Sequence, residues 1–433
     1  MLSVGLYTLG CKVSQYETEA IAEGFISRGY SVLPFSEVCD AYVINTCTVT
    51  RESDRKSRQI IGRAKKKNPG AVIAVIGCYT QRTPEEVASL GGVSIILGTQ
   101  DKMSVIDRVD ELLRGRASAP FISVSSLDDA VFEPMCVKGT PRTRAYVKIE
   151  DGCESKCTYC AIADARGRVR SKPRADVIEE VESLARLGTA EIVLTGIETG
   201  SYGRDLGEGY DLGDLIRELY ERGSCRRIRL GSLAPELVGR GFAEKIRGVD
   251  ILAPHFHISM QSGSDKILRS MKRRYNVAMA EENMARLREY FPGAQFTTDL
   301  MVGFPGEEEE DFLDTVSLVG RVGFLSAHVF AYSRRVGTPA ADYPRQVPEA
   351  VKRERSERLI AECCRVRDRV LDDVVASAVP LSCILETYRN GVYSAHSEGF
   401  VEVEISAAEG RQGEMVMVLP VSHKNGIIQG KLL

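Results

Sequence analysis

Three cysteines fall within eight residues of this 433-residue chain: Cys153, Cys157 and Cys160, in the run Cys-Glu-Ser-Lys-Cys-Thr-Tyr-Cys. No His stands among them, and the next Cys is Cys225. A structural zinc site closes its shell with four protein ligands, whereas a four-iron cluster held by three thiolates keeps one iron open for chemistry. The spacing therefore points to an open iron site. A zinc knuckle completed by a distant fourth ligand, or three unrelated thiols, are the alternatives for the same run.

A second set is dispersed. Cys11, Cys47 and Cys78 each end a short apolar, β-branched run (3–7, 41–44 and 71–76). Helical patterns lie between them over 17–28 and 57–67, and Thr83-Pro84-Glu85-Glu86 has the look of a capped helix start. Strand and helix in alternation predict a doubly wound parallel sheet, whose carboxyl-end loops face one crevice. The three thiols are expected to meet there, the alternative being that each is a small buried hydrophobe. Cys39, Cys136, Cys225, Cys363, Cys364 and Cys383 have no such context and are read as ordinary thiols.

From Arg142 onwards six strands are predicted, at 145–149, 191–194, 227–230, 255–259, 296–301 and 327–331, with helical stretches between them. Six βα units form a partial barrel with its active face at the carboxyl ends of the strands. Those ends carry the Cys run, Thr195-Gly196-Ile197-Glu198-Thr199-Gly200, Gly231-Ser232-Leu233-Ala234-Pro235, Gln261-Ser262-Gly263, Val302-Gly303-Phe304-Pro305-Gly306 and Tyr332-Ser333. An incomplete barrel leaves a lateral mouth suited to a bulky substrate. Residues 347–373 form a charged connecting helix, and the remainder, with Asn390-Gly391 as a hairpin turn, reads as a small all-β barrel. The expected class is thus α/β: an N-terminal doubly wound parallel sheet (1–125), a central partial (βα)6 barrel (140–370) and a C-terminal β-barrel (372–433).

Composition agrees: 43% hydrophobic and 27% charged residues are ordinary for a globular protein. Twelve Cys in so long a chain favour a reducing compartment over a disulfide scaffold. No apolar run approaches the ~20 residues of a spanning helix. The first residues read as a strand rather than a secretion signal, and a cytoplasmic location is expected.

The motifs resemble those of the radical S-adenosylmethionine methylthiotransferases, and within them the MtaB type, the tRNA threonylcarbamoyladenosine methylthiotransferases. The resemblance rests on Thr8-Leu9-Gly10-Cys11-Lys12-Val13 with Gln15-Tyr16-Glu17-Thr18-Glu19-Ala20, Val43-Ile44-Asn45-Thr46-Cys47-Thr48-Val49-Thr50, and Gly77-Cys78-Tyr79. In the barrel it rests on Asp151-Gly152-Cys153 through Cys160, Ala165-Arg166-Gly167, Gln261-Ser262-Gly263-Ser264-Asp265, and Thr298-Asp299 with Val302 to Glu307. His328-Val329-Phe330 and Gly337-Thr338-Pro339 close that part, and the terminal barrel resembles the family's TRAM domain.

The resemblance implies two [4Fe-4S] clusters and S-adenosyl-L-methionine as cofactors. Cys153, Cys157 and Cys160 would hold the cluster that binds S-adenosylmethionine and yields the 5′-deoxyadenosyl radical. Cys11, Cys47 and Cys78 would hold an auxiliary cluster carrying the sulfur, and methylthio would be inserted at C2 of the modified adenosine at position 37, 3′ to the anticodon. Glu198, Ser232, Gln261 and Asp299 are the expected contacts to S-adenosylmethionine, with helix capping as the alternative. Ala163, Asp164, Ser14, Ala234 and Arg334 depart from the family pattern, and none is a cluster ligand.

The implied partners are the tRNA anticodon loop, an electron donor such as flavodoxin or ferredoxin, and a sulfur donor. Phosphate contacts are expected from Arg166, Arg168, Arg170, Lys172 and Arg174, and less so from the basic run 51–67. Residues 372–433 carry eight Asp or Glu against four Lys or Arg, which is awkward for an RNA grip. Isopentenyladenosine of tRNA, or an aspartate of a basic ribosomal protein, are the competing substrates. An iron-sulfur or zinc RNA-binding protein is the non-enzymatic alternative.

Overall fold

The computed structural model describes residues 1–139, 143–207, 209–406 and 410–433. The expected start of the central barrel at 140 lies outside the described residues. Six strands of the N-terminal part form one parallel sheet in the order Ser31–Leu33, Ser3–Thr8, Ala41–Thr46, Val72–Gly77, Ile95–Leu97, Phe121–Ser123. Strand Ala41–Thr46 is buried along its whole length because helices cover both faces. Val4, Ile21, Phe25, Val43, Ile76 and Val109 fill one side, and Tyr42, Ile44, Ile61 and Val75 the other. Strand order reverses between Ser3–Thr8 and Ala41–Thr46, the point where a doubly wound sheet opens its crevice. Cys11 and Cys47 follow these two strands.

The central part is the expected open barrel of six parallel strand positions: Arg144–Lys148, Glu191–Thr195, the broken pair Ile228–Leu230 and Ser232–Leu233, then His255–Gln261, Gln295–Val302 and Ser326–Ala331. The break at Gly231 lets the third strand pair with the second through its first half and with the fourth through its second half. Alternation along the strands sends Ala145, Val147, Ile192, Leu194, Ile228, Leu230 and Phe256 out to the helices. That leaves Arg144, Lys148, Glu191, Arg229, His257 and Asp299 to a polar interior.

Helix Glu349–Ser377 leads into a closed five-stranded barrel, Leu381–Arg389, Val392–Ser397, Glu402–Ser406, Met415–Lys424 and Ile427–Leu432. Asn390 and Gly391 have φ of 52° and 83° and form the anticipated hairpin turn. This small barrel closes the amino-terminal end of the larger one. The Phe400 ring stacks on His255 at 4.7 Å and lies 5.0 Å from the Arg229 guanidinium. Fully buried Glu191 accepts from Arg229 Nε and Nη2 at 2.8 Å and pairs with Arg144 at 2.7 Å and Arg227 at 3.5 Å. The same arginines reach across: Arg229 donates to Glu398 O, Arg227 to Ser382 Oγ, and Arg144 pairs with Glu386. Part of the terminal barrel's acidity is therefore spent on this joint.

Removing one partner of a buried ion cluster strands the others, at a cost of about 3–5 kcal/mol. Glu191→Ala is expected to destabilise the chain by that amount in urea denaturation, with Glu191→Asp losing less.

Candidate functional site

Both cysteine sets lie where the N-terminal sheet meets the carboxyl end of the barrel. Cys11 caps helix Lys12–Ser27, Cys47 follows strand Ala41–Thr46, and Cys78 opens helix Cys78–Arg82. Glycines allow the three strand ends to close up. Gly10, at φ +133°, would carry a methyl group 3.3 Å from Cys47 Cβ, and Gly77, at φ +104°, one 2.7 Å from Thr46 O. The thiols sense one another: burial pushes Cys47 up to about 11, with Cys78 and Cys11 adding to the rise. Burial likewise raises Cys78, against the pull of the Arg166 guanidinium.

The Cys153–Cys160 loop is held by backbone bonds. Cys153 N–H donates to Gly167 O at 3.0 Å, Thr158 N–H to Met271 O at 3.1 Å, and Ala340 N–H to Thr158 O at 2.9 Å. Gly152 enters the loop at φ +96°, where a methyl group would lie 1.9 Å from Arg168 O, so only glycine fits. Tyr159 packs edge-on against Phe304. Burial drives Cys160 up to about 12, with Cys157 and Cys153 contributing. Cys47 lies in electrostatic reach of Cys78 and Cys11, and Cys160 of Cys157 and Cys153, so each set offers three thiolate donors of the kind that ligate iron–sulfur clusters.

Each triad has a guanidinium on one sulfur. Arg166 Nε donates to Cys78 Sγ at 3.2 Å, and Arg273 Nη1 to Cys157 Sγ at 3.3 Å. Arg273 also donates to Ser259 O and the Tyr275 hydroxyl. No spacing rule marks Arg273, which sits in an ordinary Lys-Arg-Arg run; Arg166 stands in the Ala165-Arg166-Gly167 string and in a basic run, and neither signals a contact to sulfur.

The tRNA assignment of that run needs correction. Arg166 is wholly buried, donating to Glu17 Oε1 at 2.6 Å and to Asp151 at 3.1 Å. Arg170 is buried and donates to Arg166 O and Arg168 O. Lys172 is buried and pairs with Glu180. Only Arg168 and Arg174 of the run are exposed. On helix Arg51–Lys67, which follows the Cys47 loop, Arg51, Arg55, Lys56, Arg63, Lys66 and Lys67 are exposed, with Arg55 paired to Glu52.

The four strand-end residues expected to contact S-adenosylmethionine all line the barrel's upper interior. Ser232 Oγ and Ser259 Oγ are 2.7 Å apart, and Gln261 ends its strand at φ 64°. Asp299 lies between His257 at 3.2 Å and His328 at 3.4 Å. Burial works to raise its carboxyl, but bonds from the two imidazoles outweigh it and hold the group well below the usual range. Glu198 accepts from Ala234 N–H at 3.3 Å, and its own N–H donates to Glu150. Burial lifts Glu198 to about 7, with Arg273 opposing. Lys12, next to Cys11, makes no side-chain hydrogen bond or ion pair among the described residues and lies in electrostatic reach of Arg229, Glu191 and Arg144 inside the barrel.

Two family models match: the radical SAM superfamily over residues 147–319, and an uncharacterized protein family, UPF0004, over residues 3–98. The chain is 39% identical to the threonylcarbamoyladenosine tRNA methylthiotransferase MtaB of Bacillus subtilis, covering 96% of this chain and 93% of that protein. It is 37% identical to the protein of the same name from Thermotoga maritima, covering 93% and 91%. With the tRNA-2-methylthio-N(6)-dimethylallyladenosine synthase of Acetivibrio thermocellus it shares 32% identity, over 99% and 90%. The radical S-adenosylmethionine methyltransferase TsrM of Kitasatospora setae has a similar fold, at TM-score 0.59 and 16% identity, over 79% of this chain and 77% of that one.

Glu198 titrates near 7 when folded against about 4.5 when unfolded. An acid raised by folding favours the native state least when ionised, so stability falls as pH rises from about 4.5 to about 7. Glu198→Gln is therefore expected to raise the metal-free chain's thermal midpoint relative to wild type at pH 8, with the advantage gone below pH 5; differential scanning calorimetry across pH reads this out.

Proposed function

Because the chain belongs to the radical S-adenosylmethionine methylthiotransferases, enzymes that use a [4Fe-4S] cluster and S-adenosylmethionine, we propose that it inserts a methylthio group at C2 of N6-threonylcarbamoyladenosine at position 37 of tRNA. The observation that carries this is 39% and 37% identity to two MtaB enzymes over nearly the whole chain, together with two thiol triads whose adjoining helices, Cys78–Arg82 and Ile162–Arg166, pack on one another. The cluster with S-adenosylmethionine would supply the radical that activates the C2–H bond.

The chain's own residues divide the work. Cys153, Cys157 and Cys160 hold the radical cluster, on a loop fixed by Thr158 and Gly152. Cys11, Cys47 and Cys78 hold a second, auxiliary cluster; their convergence at neighbouring strand ends supports this. Glu198, Ser232, Gln261 and Asp299 line the S-adenosylmethionine pocket, Glu198 being placed to accept from an ammonium group. Lys12, partly buried and without an ion-pair partner among the described residues, is available to the carboxylate that a threonylcarbamoyl group carries and an isopentenyl group lacks. Exposed cations on helix Arg51–Lys67, with Arg168 and Arg174, offer phosphate contacts beside the triads. Residues 1–125, 140–370 and 372–433 act as three domains, served in the cytoplasm by an electron donor such as flavodoxin or ferredoxin and by a separate sulfur donor. Among the described residues no helix is long and apolar enough to cross a membrane.

Nucleoside mass spectrometry of tRNA from a host lacking the activity tests the reading: 2-methylthio-threonylcarbamoyladenosine is expected only when the chain is expressed. Cys157→Ala is expected to abolish S-adenosylmethionine cleavage. Cys47→Ala should keep cleavage, lose transfer and lose about half of the iron of two four-iron clusters; unchanged iron content would remove the auxiliary cluster from the account. Losing a charged hydrogen bond costs about ten- to a hundredfold, so Lys12→Gln is expected to lower kcat/KM for threonylcarbamoylated tRNA by that factor and to leave S-adenosylmethionine cleavage intact.

A further inference from the structure

Arg166 occupies the gap between the two triads. It ends helix Ile162–Arg166, which begins two residues after Cys160 and packs on helix Cys78–Arg82 of the N-terminal sheet. Its guanidinium is fully buried and each nitrogen is engaged. Nε donates to Cys78 Sγ at 3.2 Å; Nη1 donates to Glu17 Oε1 at 2.6 Å and to Asp151 Oδ2 at 3.1 Å; Nη2 reaches Glu17 Oε2 at 3.4 Å. Asp151 lies two residues before Cys153 and also receives Lys148 Nζ at 2.7 Å. One planar group thus touches a sulfur of one triad and the carboxylate at the root of the other. A lysine, with one charged atom, could not span these three partners.

We infer that Arg166 is a positioning residue that tunes the triad containing Cys78: it supplies an N–H···S bond and a positive charge at Cys78, and Asp151, at the base of the Cys153 loop, offsets part of that charge. The inference rests on the reading of Cys11, Cys47 and Cys78 as ligands of a cluster. Hydrogen bonds to the sulfurs and net local charge set such a cluster's reduction potential, and outer partners of the ligands tune it. The reduced cluster is the more negative one, so Arg166 favours reduction. Asp151 offsets that charge without touching the sulfur, so its removal and that of Arg166 act in opposite directions. Arg273, the guanidinium on Cys157, ends on a carbonyl and a phenol instead, so it serves one triad alone.

Buried charge points the same way. Lys102, Lys148 and Arg166 bring three cations to a dry junction with the carboxylates Glu17 and Asp151, with Arg170 3.6 Å from Asp151 and Glu133 within electrostatic reach of Lys102 and Lys148. A thiolate at Cys78, 3.2 Å from Arg166, would add a further anion to this cluster.

The test uses the full chain with Cys153, Cys157 and Cys160 replaced by Ala, reconstituted with iron and sulfide, so that only the other triad can hold a cluster. Its midpoint potential is measured by redox titration followed by electron paramagnetic resonance. Arg166→Met is expected to shift the midpoint to more negative potential and Asp151→Asn to more positive potential, the two shifts offsetting each other when both changes are combined. Arg166→Lys should fall between Arg166→Met and the parent. Circular dichroism and iron content check each variant; if Arg166→Met does not fold, the opposed shifts of Asp151→Asn and Arg166→Lys carry the test. Unmoved midpoints, or shifts of the same sign for the Arg166 and Asp151 changes, overturn the inference alone. A parent that binds no iron overturns the cluster reading and this inference with it.

Discussion

Glu17 holds its charge where there is no water, and cations from three separate segments converge on it: Lys102 beyond the strand Ile95–Leu97, Lys148 on the first barrel strand, and Arg166 behind the Cys153–Cys160 loop. Burial alone would raise its carboxyl; the three cations reverse that and keep it well below the usual range. Such a cluster tolerates no half measures, because each ion taken from water is uncompensated until its partners arrive. The N-terminal sheet and the barrel are therefore held in one relative placement rather than in a loose range. The opposition of the two thiol triads depends on that placement.

A second clamp acts from the far side of the barrel. Arg335, just after the last barrel strand, is buried and donates to Thr48 O at 2.7 Å while pairing with Asp54. It holds the Cys47 loop directly. The sheet is thus tied to both the first and the last strand of the barrel, roofing its carboxyl end, while the terminal β-barrel closes the other end through Phe400 and the Glu191 cluster. With roof and floor both fixed, the side where an open barrel lacks strands is the expected approach to the polar interior. A bulky nucleic acid can present one base there without entering whole.

What the sequence made legible was local. Cys11, Cys47 and Cys78 could be placed at strand ends because each follows an uninterrupted apolar run, and the six barrel strands because turn-forming glycines punctuate them. The strands Ser31–Leu33, Ile95–Leu97 and Phe121–Ser123 have three residues each, too few for a periodic signal. The last strand of the terminal barrel, Ile427–Leu432, carries no clear signal because Gly430 and Lys431 interrupt its alternation. The basic run from Arg166 to Lys172 misled for a physical reason. Charge on a short stretch reads as a wet face, yet the partner that draws Arg166 inward, Glu17, lies 149 residues away in the chain. Pairing over that distance leaves no trace in local composition.

Lys12 shows the converse. It stands in the string that marks the resemblance, one residue from a proposed ligand, and nothing local distinguishes it from a helix-starting lysine. Only the fold reveals that burial, with Arg229 and Arg144 in electrostatic reach, lowers its pKa and leaves it without a hydrogen-bond or ion-pair partner among the described residues. Arg166 and Lys12 are then two uses of one resource. The first spends its charge on a sulfur and two carboxylates inside the protein and fixes the site; the second is partly buried with its charge disfavoured by its surroundings, and an anion arriving with a substrate would restore that charge. An interior that balanced every cation internally would be more stable, but it would have nothing left with which to tell a carboxylated adenosine from a hydrocarbon-bearing one.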